Sequence, residues 1–132
     1  MAALDTNVLL RFLLQDDAVQ SAKATRLIRG ALDAGETLYV PVSVALELEW
    51  VLRSRFKLDK AAVAQTFAGL LQTVELHFEA TAALEWALGE YESSAADFSD
   101  CIHAALVLNA GEAPLWTFDK AAARLQGAAE LK

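Results

Sequence analysis

Residues 37–55, TLYVPVSVALELEWVLRSR, decide the fold class because they join a short strand directly to a helix. The run TLYVP has the branched and aromatic residues typical of strands, and Pro41 stops it. A helix is predicted from about Ser43 to Arg55, with Ser43 as its N-cap. The stretch therefore predicts a strand whose carboxyl end leads straight into a helix.

The same alternation of strand and helix continues on both sides of this stretch. Short apolar runs such as MAAL, TVEL, PLWTF and AAEL are separated by longer helical segments. One helix is marked by apolar residues at i, i+3, i+4 and i+7, namely Ala24, Leu27, Ile28 and Ala31. Alternating strands and helices predict a parallel sheet. We therefore expect an α/β protein, a three-layer α/β/α sandwich with four or five short parallel strands, in which residues 1–132 form a single domain.

The composition indicates a folded, acidic protein. Of the 132 residues, 55% are hydrophobic, which argues against disorder, and 11 basic residues oppose 18 acidic ones for a net charge of −7. An acidic domain is a poor nonspecific binder of nucleic acid, because phosphate contacts need lysine and arginine. The balance suits a basic protein partner, or carboxylates gathered to hold cations.

The sequence shows neither a membrane span nor a secretory signal. The longest apolar runs, such as CIHAALVL, are too short to cross a bilayer, and the chain does not open with a basic segment followed by an apolar one. The single cysteine, Cys101, excludes an internal disulfide. We therefore expect a cytoplasmic protein that does not associate with membranes.

Four acidic residues fall near the carboxyl ends of predicted strands or near the helices that follow them. Asp5 directly follows the first strand, and Asp119 comes two residues after Thr117. Asp100 lies at the start of the helix DCIHAALVL, and Glu47 lies one turn into the helix after TLYVP. Ligands of open α/β sheets bind outside the carboxyl ends of the strands. We therefore expect the four acids to converge at that end of the sheet.

Two glutamates of the helix after TLYVP are expected to differ. Glu47 has the apolar neighbours Val44 and Val51 on the helical wheel, so it should share or border the buried face. A buried carboxylate needs a partner, and a metal ion would serve. Glu49 precedes Arg53 by four residues, the spacing of an exposed helical ion pair.

A simpler interpretation exists for each acid taken alone. Asp5 and Asp119 are both suitable helix N-caps. Asp97 and Asp100 are both favoured at a helix N-terminus by the helix dipole. Glu47 can be an acid on a less buried helix. These interpretations explain each position separately but give no reason for four acids to share one end of the sheet.

Carboxylates gathered in one pocket raise each other's pKa values unless a cation neutralises them. Oxygen ligands of this kind select Mg²⁺ or Mn²⁺ over zinc, which prefers nitrogen and sulfur. Such an ion can activate water and stabilise the charge that develops on a phosphodiester under attack. The pattern therefore predicts metal-assisted phosphodiester hydrolysis, with one ion or two.

Four segments of the chain resemble the signature segments of the PIN-domain ribonucleases. They are LDTNVLLRFL, VPVSVALELEWVL, ADFSDCIHAA and TFDKAAARL, and they occur in the family's order from Asp5 to Asp119. The closer resemblance is to the VapC-type toxins of bacterial toxin–antitoxin pairs. One segment alone would be weak, but four in order are specific. The one departure is a first strand with only four residues before Asp5.

The resemblance implies a Mg²⁺- or Mn²⁺-dependent endoribonuclease with particular site residues. The acids it implies as catalytic residues and metal ligands are Asp5, Glu47, Asp100 and Asp119, with Asp97 as an accessory metal ligand. The polar residues that it implies as support are Thr6, Asn7, Ser43 and Thr117. Because the chain is acidic overall, RNA binding must rely on local basic residues and metals. Arg11 is the nearest candidate, with Lys120 and Arg124 beside the fourth acid.

The resemblance also implies partners. Family members of this type form homodimers and bind a small antitoxin protein. Its C-terminal segment covers the active-site groove, and its N-terminal part binds operator DNA. The net charge of −7 is compatible with a basic antitoxin segment.

Three alternatives stay open. A PIN-type nuclease can process RNA without any antitoxin. A phosphoryl-transfer enzyme of the haloacid-dehalogenase type would use Asp5 as a covalent nucleophile, but it expects a second acid two residues later, where Asn7 stands. A catalytically silent binding module would be favoured by a missing acid, and none of the four is missing.

Overall fold

The computed structural model describes residues 2–132; Met1, the first residue of the predicted strand MAAL, lies outside the described residues. In this part of the chain the strands are β1 (Ala2–Ala3), β2 (Leu38–Val40), β3 (Leu76–Phe78), β4 (Leu115–Thr117) and β5 (Ala128–Glu130). The helices are α1 (Thr6–Leu14), α2 (Ala18–Asp33), α3 (Val42–Ser54), α4 (Lys60–Leu71), α5 (Thr81–Ser93), α6 (Phe98–Ala110) and α7 (Lys120–Ala123). None of these helices is long and apolar enough to cross a membrane.

The strands pair in parallel, as the alternation predicts. β2 lies between β1 and β3, with Leu38 in register with Ala2 on one side and with Leu76 on the other. β4 pairs with β5, with Leu115 in register with Ala128. The mixed α/β class with short parallel strands is thus confirmed. Between residues 2 and 132 the five strands form a sheet of three and a sheet of two, each strand only two or three residues long.

The chain divides into two compact units. The first contains residues 2–57 and Thr66–Glu79, and therefore β1 to β3 with α1 to α3. The second contains Leu58–Gln65 and Ala80–Lys132, and therefore β4 and β5 with α5 to α7. Residues of α4 belong to both. That residues 1–132 act as a single domain stays a prediction.

Three helices build the core of the first unit. α1 packs against α2 and α3 and buries Leu9 and Leu10, while α2 buries Ile28. Each such side chain stabilises the folded state by about 1.5–3 kcal/mol when it is fully buried. The start of α1 is therefore anchored to the packed core of the first unit.

The start of α3 differs from the prediction. Ser43 is exposed and is not the N-cap; Pro41 holds that position and forms no side-chain cap bond. The missing acceptor comes from another element, because the Glu79 carboxylate accepts a hydrogen bond from the Val42 N–H at 2.8 Å. A cap supplied from outside the helix removes the need for a serine at its start.

A lysine ties together main-chain segments of the second unit. The Lys60 ammonium donates to the carbonyls of Tyr91, Ser94 and Ala96, at 3.1, 2.8 and 3.1 Å. It also lies 4.7 Å from the centre of the Tyr91 ring, which packs edge-on against Phe98. These contacts fix the loop that joins α5 to α6.

A partly buried ion pair lies directly before β3 in the first unit. The Arg29 guanidinium donates to the carboxylate of Glu75, whose side chain is only 5% exposed. The hydrogen bond from Arg29 lowers the pKa of Glu75 below its ordinary value of 4.5, although burial acts in the opposite direction. The pair therefore stabilises the fold when Glu75 is ionised.

Replacing Arg29 by methionine is expected to lower the free energy of unfolding at pH 7 by about 1–2 kcal/mol, because it leaves the Glu75 carboxylate without its partner. The effect lies at the low end for a buried pair, since the Arg29 side chain is 60% exposed to water. Because the pKa of Glu75 is lower in the folded state than in the unfolded state, the ion pair stabilises the fold fully at pH values above the unfolded-state pKa. That stabilisation is lost as the pH falls through the folded-state pKa.

Urea unfolding from pH 7 downwards checks this prediction. The difference between wild type and Arg29→Met should be full above pH 4.5 and should shrink at lower pH. Arg26→Met, at an exposed arginine of the same helix, is the matched control. An equal loss of stability in both variants, or a difference that grows with acidity, would contradict the assignment.

Candidate functional site

The first group of predicted site residues lies at the start of α1. Asp5 is exposed and is the N-cap of the helix, with its Oδ1 accepting from the Thr6 N–H at 2.8 Å. The hydroxyl of Thr6, which is buried, donates to Oε1 of Glu47 on α3. The structure thus links the first and second predicted acids through the threonine between them.

The roles of the two α3 glutamates are exchanged relative to the prediction. Glu47 is exposed rather than on the buried stripe, and Glu49 is buried, although it does pair with Arg53 at 2.8 Å. The buried stripe of α3 follows Ala45, Leu48, Glu49 and Leu52, so its centre is rotated away from Glu47. Glu47 therefore needs no buried counter-ion, and it accepts a hydrogen bond from the Thr6 hydroxyl.

Asn7 and Arg11 lie along a groove between α1 and α2. The groove has a volume of about 280 Å³, and its lining consists of Asn7, Val8, Arg11, Gln20, Lys23, Ala24 and Leu27. The Arg11 guanidinium binds Asp16 at 3.0 Å and Gln20 at 2.8 Å. Arg11, the predicted substrate-binding residue, is therefore bound by Asp16 and Gln20 on the protein surface. Asn7 is exposed and directly follows Thr6.

The second group of predicted residues lies at the starts of α6 and α7. Asp97 is at the N-cap position of α6, and Asp100 is in its first turn. Asp119 is the N-cap of α7, and its Oδ1 accepts from the Ala122 N–H at 2.9 Å. The Thr117 hydroxyl in turn accepts from the Asp119 N–H at 3.0 Å, so it fixes the turn that presents this acid.

Asp100 lies in the electrostatic field of the other two acids of its group. Its pKa is raised, first by partial burial and then by the charges of Asp119 and Asp97, with His103 opposing them. Nearby like charges raise a carboxyl pKa because they disfavour its ionised form. The charges of Asp97 and Asp119 therefore act on Asp100, and we call these three residues the acidic cluster.

The capping interpretation is confirmed for Asp5 and Asp119. Each carboxylate uses Oδ1 to accept a backbone N–H, which stabilises a helix start by about 1 kcal/mol. Because a carboxylate has two oxygen atoms, Oδ2 of each aspartate can still bind another ligand. Capping and metal binding are therefore compatible roles for the same side chain.

The structure divides the predicted residues into two groups. The group in the first unit is Asp5, Thr6, Asn7, Arg11, Ser43 and Glu47. The group in the second unit is Asp97, Asp100, Thr117 and Asp119. Among residues 2–132, His, Cys, Asp and Glu side chains form no set of three close enough to be a preformed metal site. The acids in both groups offer carboxylate oxygens, which suit Mg²⁺ or Mn²⁺.

Two residues that position the site were not predicted from the sequence. Glu79 caps the helix that carries Glu47, and Lys60 fixes the loop that leads to Asp97. Their partners are 31 to 37 residues away in the chain, so no local spacing indicates them. The local sequence shows only a charged residue next to an apolar helix, and this does not identify the partner of that residue.

A comparison with protein families assigns nearly the whole chain. Residues 2–128 match the family described as PIN domain. A search of curated proteins finds no match. The family match covers both groups of acids and all four segments that carry the resemblance.

Proposed function

Because the chain belongs to the PIN domain family, whose members are generally nucleases, we propose that it is a metal-dependent endoribonuclease that acts as the VapC-type toxin of a toxin–antitoxin pair. The observation that carries the proposal is the placement of Asp97, Asp100 and Asp119 at the starts of α6 and α7, where the charges of the other two act on Asp100. Carboxylates that repel each other are a favourable environment for a divalent cation.

The donor chemistry fits the proposed cofactor, Mg²⁺ or Mn²⁺. PIN domain nucleases typically use a divalent metal, and every proposed ligand here offers carboxylate oxygens. The proposed ligands are Asp5, Glu47, Asp100 and Asp119, with Asp97 as an accessory. A bound divalent cation would supply water activation and neutralise charge on the phosphate under attack.

The remaining residues orient these carboxylates. Thr6 holds Glu47 through its hydroxyl, and Thr117 holds the turn before Asp119. Asn7 is exposed beside Thr6, where its amide can bind a carboxylate or a water molecule. Ser43 is proposed as a supporting residue on the resemblance alone, and Arg11 is proposed as a substrate-binding residue because it is a local cation on an acidic chain.

The toxin role rests on the resemblance and on the charge of the chain. A net charge of −7 favours a basic antitoxin segment as partner, and it leaves RNA to be held by local cations. We propose a cytoplasmic homodimer that binds operator DNA only through its antitoxin. A short neighbouring reading frame encoding a basic protein that copurifies with this chain would separate the toxin from an RNA-processing nuclease.

Purified protein is expected to cleave single-stranded RNA with Mg²⁺ or Mn²⁺ and to stop in EDTA, because the carboxylates cannot activate water without the cation. Gel analysis of a labelled RNA measures this, with recovery of cleavage after excess Mg²⁺ as the control. Cleavage that persists in EDTA would contradict the proposal. A covalent phosphate on Asp5 would instead support the phosphoryl-transfer alternative.

A further inference from the structure

A polar groove in the second unit lies outside the acidic cluster. We call it the basic groove; its lining consists of Lys120, Ala123, Arg124, Glu130 and Lys132, and its volume is about 510 Å³. Three of the five lining residues are cations, in a chain with 11 basic and 18 acidic residues. A local excess of positive charge on an acidic protein indicates an anionic ligand.

The fold places these cations together by simple geometry. Lys120 and Arg124 are four residues apart at the two ends of α7, so they share one face of that helix. Glu130 ends β5, and Lys132 follows it by two residues. The three cations lie on or next to α7 and β5, which pack against each other within the second unit.

The basic groove adjoins one of the proposed catalytic acids. Asp119 is the N-cap of α7, and Lys120 is the first residue of the same helix. The residue before Asp119 is Phe118, and 78% of its surface is exposed. An exposed aromatic ring beside cations is the combination with which proteins hold single-stranded nucleic acids.

We propose that the basic groove binds backbone phosphates of single-stranded RNA next to the bond that is cut, with Phe118 stacking on a base. This inference rests on the proposed function for the identity of its ligand. Lys120, Arg124 and Lys132 neutralise phosphates, while Glu130 repels them and limits how deeply the strand enters.

The lining favours RNA over a protein segment as the occupant. Ala123 is the only apolar residue in it, so a hydrophobic helix of a protein partner would bury little apolar surface there. Charge complementarity to a polyanion is the main interaction that the groove offers. The groove also explains how an acidic protein retains RNA beside its carboxylates.

A binding measurement in EDTA tests the inference without cleavage. Fluorescence anisotropy of a labelled single-stranded RNA compares wild type with the triple variant Lys120→Ala, Arg124→Ala and Lys132→Ala. We expect the dissociation constant to rise at least about tenfold. The slope of log affinity against log salt should fall by about 2, since each phosphate contact contributes about 0.7 for single strands.

A second triple variant gives the matched control for charge. Arg26→Ala, Arg55→Ala and Lys57→Ala removes three exposed cations of the first unit, so the net charge changes equally. Its affinity and salt slope should stay within about twofold of wild type. Equal losses in both triple variants would show a general charge effect and would overturn the basic groove as the site.

The stacking residue has a control of its own. Phe118→Ala is expected to weaken RNA binding about fivefold or more without changing the salt slope, since stacking involves no phosphate. Trp116 is also exposed, but it lies within β4 and is in register with Ala129, which does not line the basic groove. Trp116→Ala should therefore leave binding unchanged, and the reverse result would exclude Phe118.

The outcomes separate this inference from the proposed nuclease. If wild type binds RNA through the basic groove but never cleaves it with Mg²⁺, the nuclease proposal fails and the groove stands. If wild type cleaves RNA and the groove variant binds it as tightly as the control, only the groove inference fails. If the groove variant loses a copurifying protein partner but still binds RNA, the basic groove is the binding site of that partner instead.

Discussion

Asp5→Asn and Asp119→Asn are each expected to reduce metal-dependent RNA cleavage at least about a thousandfold, which corresponds to roughly 4 kcal/mol of transition-state stabilisation. Asparagine caps a helix as well as aspartate does, so the bonds to the Thr6 and Ala122 N–H groups can persist. What the substitution removes is the negative charge that a divalent cation needs. The free energy of unfolding should change by less than about 1 kcal/mol.

A third aspartate provides the matched control. Asp17 caps α2 in the same way, with its Oδ1 accepting from the Gln20 N–H at 2.9 Å, and it is not a proposed site residue. Asp17→Asn should therefore leave both cleavage and stability close to wild type. Single-turnover cleavage rates and urea unfolding measure the two effects. If Asp5→Asn and Asp119→Asn cleave at the wild-type rate, both residues are caps and nothing more.

Lys60→Met is expected to lower the free energy of unfolding by about 2–4 kcal/mol. The methionine keeps the apolar stem against Tyr91, but the carbonyls of Tyr91, Ser94 and Ala96 lose a charged donor. Tyr91 and Ala96 are both 1% exposed, so water cannot easily replace the ammonium there. The loop that leads to Asp97 should loosen, and cleavage by the folded variant should then need more Mg²⁺.

Thermal and urea unfolding measure the first effect of Lys60→Met, and a Mg²⁺ titration of cleavage measures the second. Lys23→Met, at an exposed lysine of α2, is the control and should stay within about 0.5 kcal/mol of wild type. Equal stability of Lys60→Met and wild type would show that the three carbonyls are satisfied without the lysine. Lost stability with an unchanged Mg²⁺ requirement would confine Lys60 to folding.

The parts of the site that local sequence determines were predictable. Asp5 and Asp119 each come between a strand-like run and a helical one, and the structure places each at a helix start. The parallel pairing of the strands follows from the same alternation. Local chemistry suffices here, because a helix start needs an acceptor within a few residues.

The exact face that a helix buries depends on its neighbours, and for α3 the burial of the two glutamates was predicted wrongly. Both Glu47 and Glu49 have apolar residues at helical spacing, so the sequence allows either to border the core. In the folded protein the face with Leu48 and Leu52 packs into the core, and Glu49 is buried on the same face. The hydrogen bonds that Glu79 and Lys60 form were not predicted for a related reason, since their partners are distant in the chain.

The proposed use of one carboxylate for both helix initiation and chemistry has a genetic consequence. Aspartate and asparagine codons differ by a single nucleotide, and the fold accepts either residue at a helix start. Under the proposed function, one point mutation at Asp5 or Asp119 therefore gives an inert protein that still folds. In cells that the activity of the proposed toxin would harm, inactive alleles are expected at these two codons without loss of the folded protein.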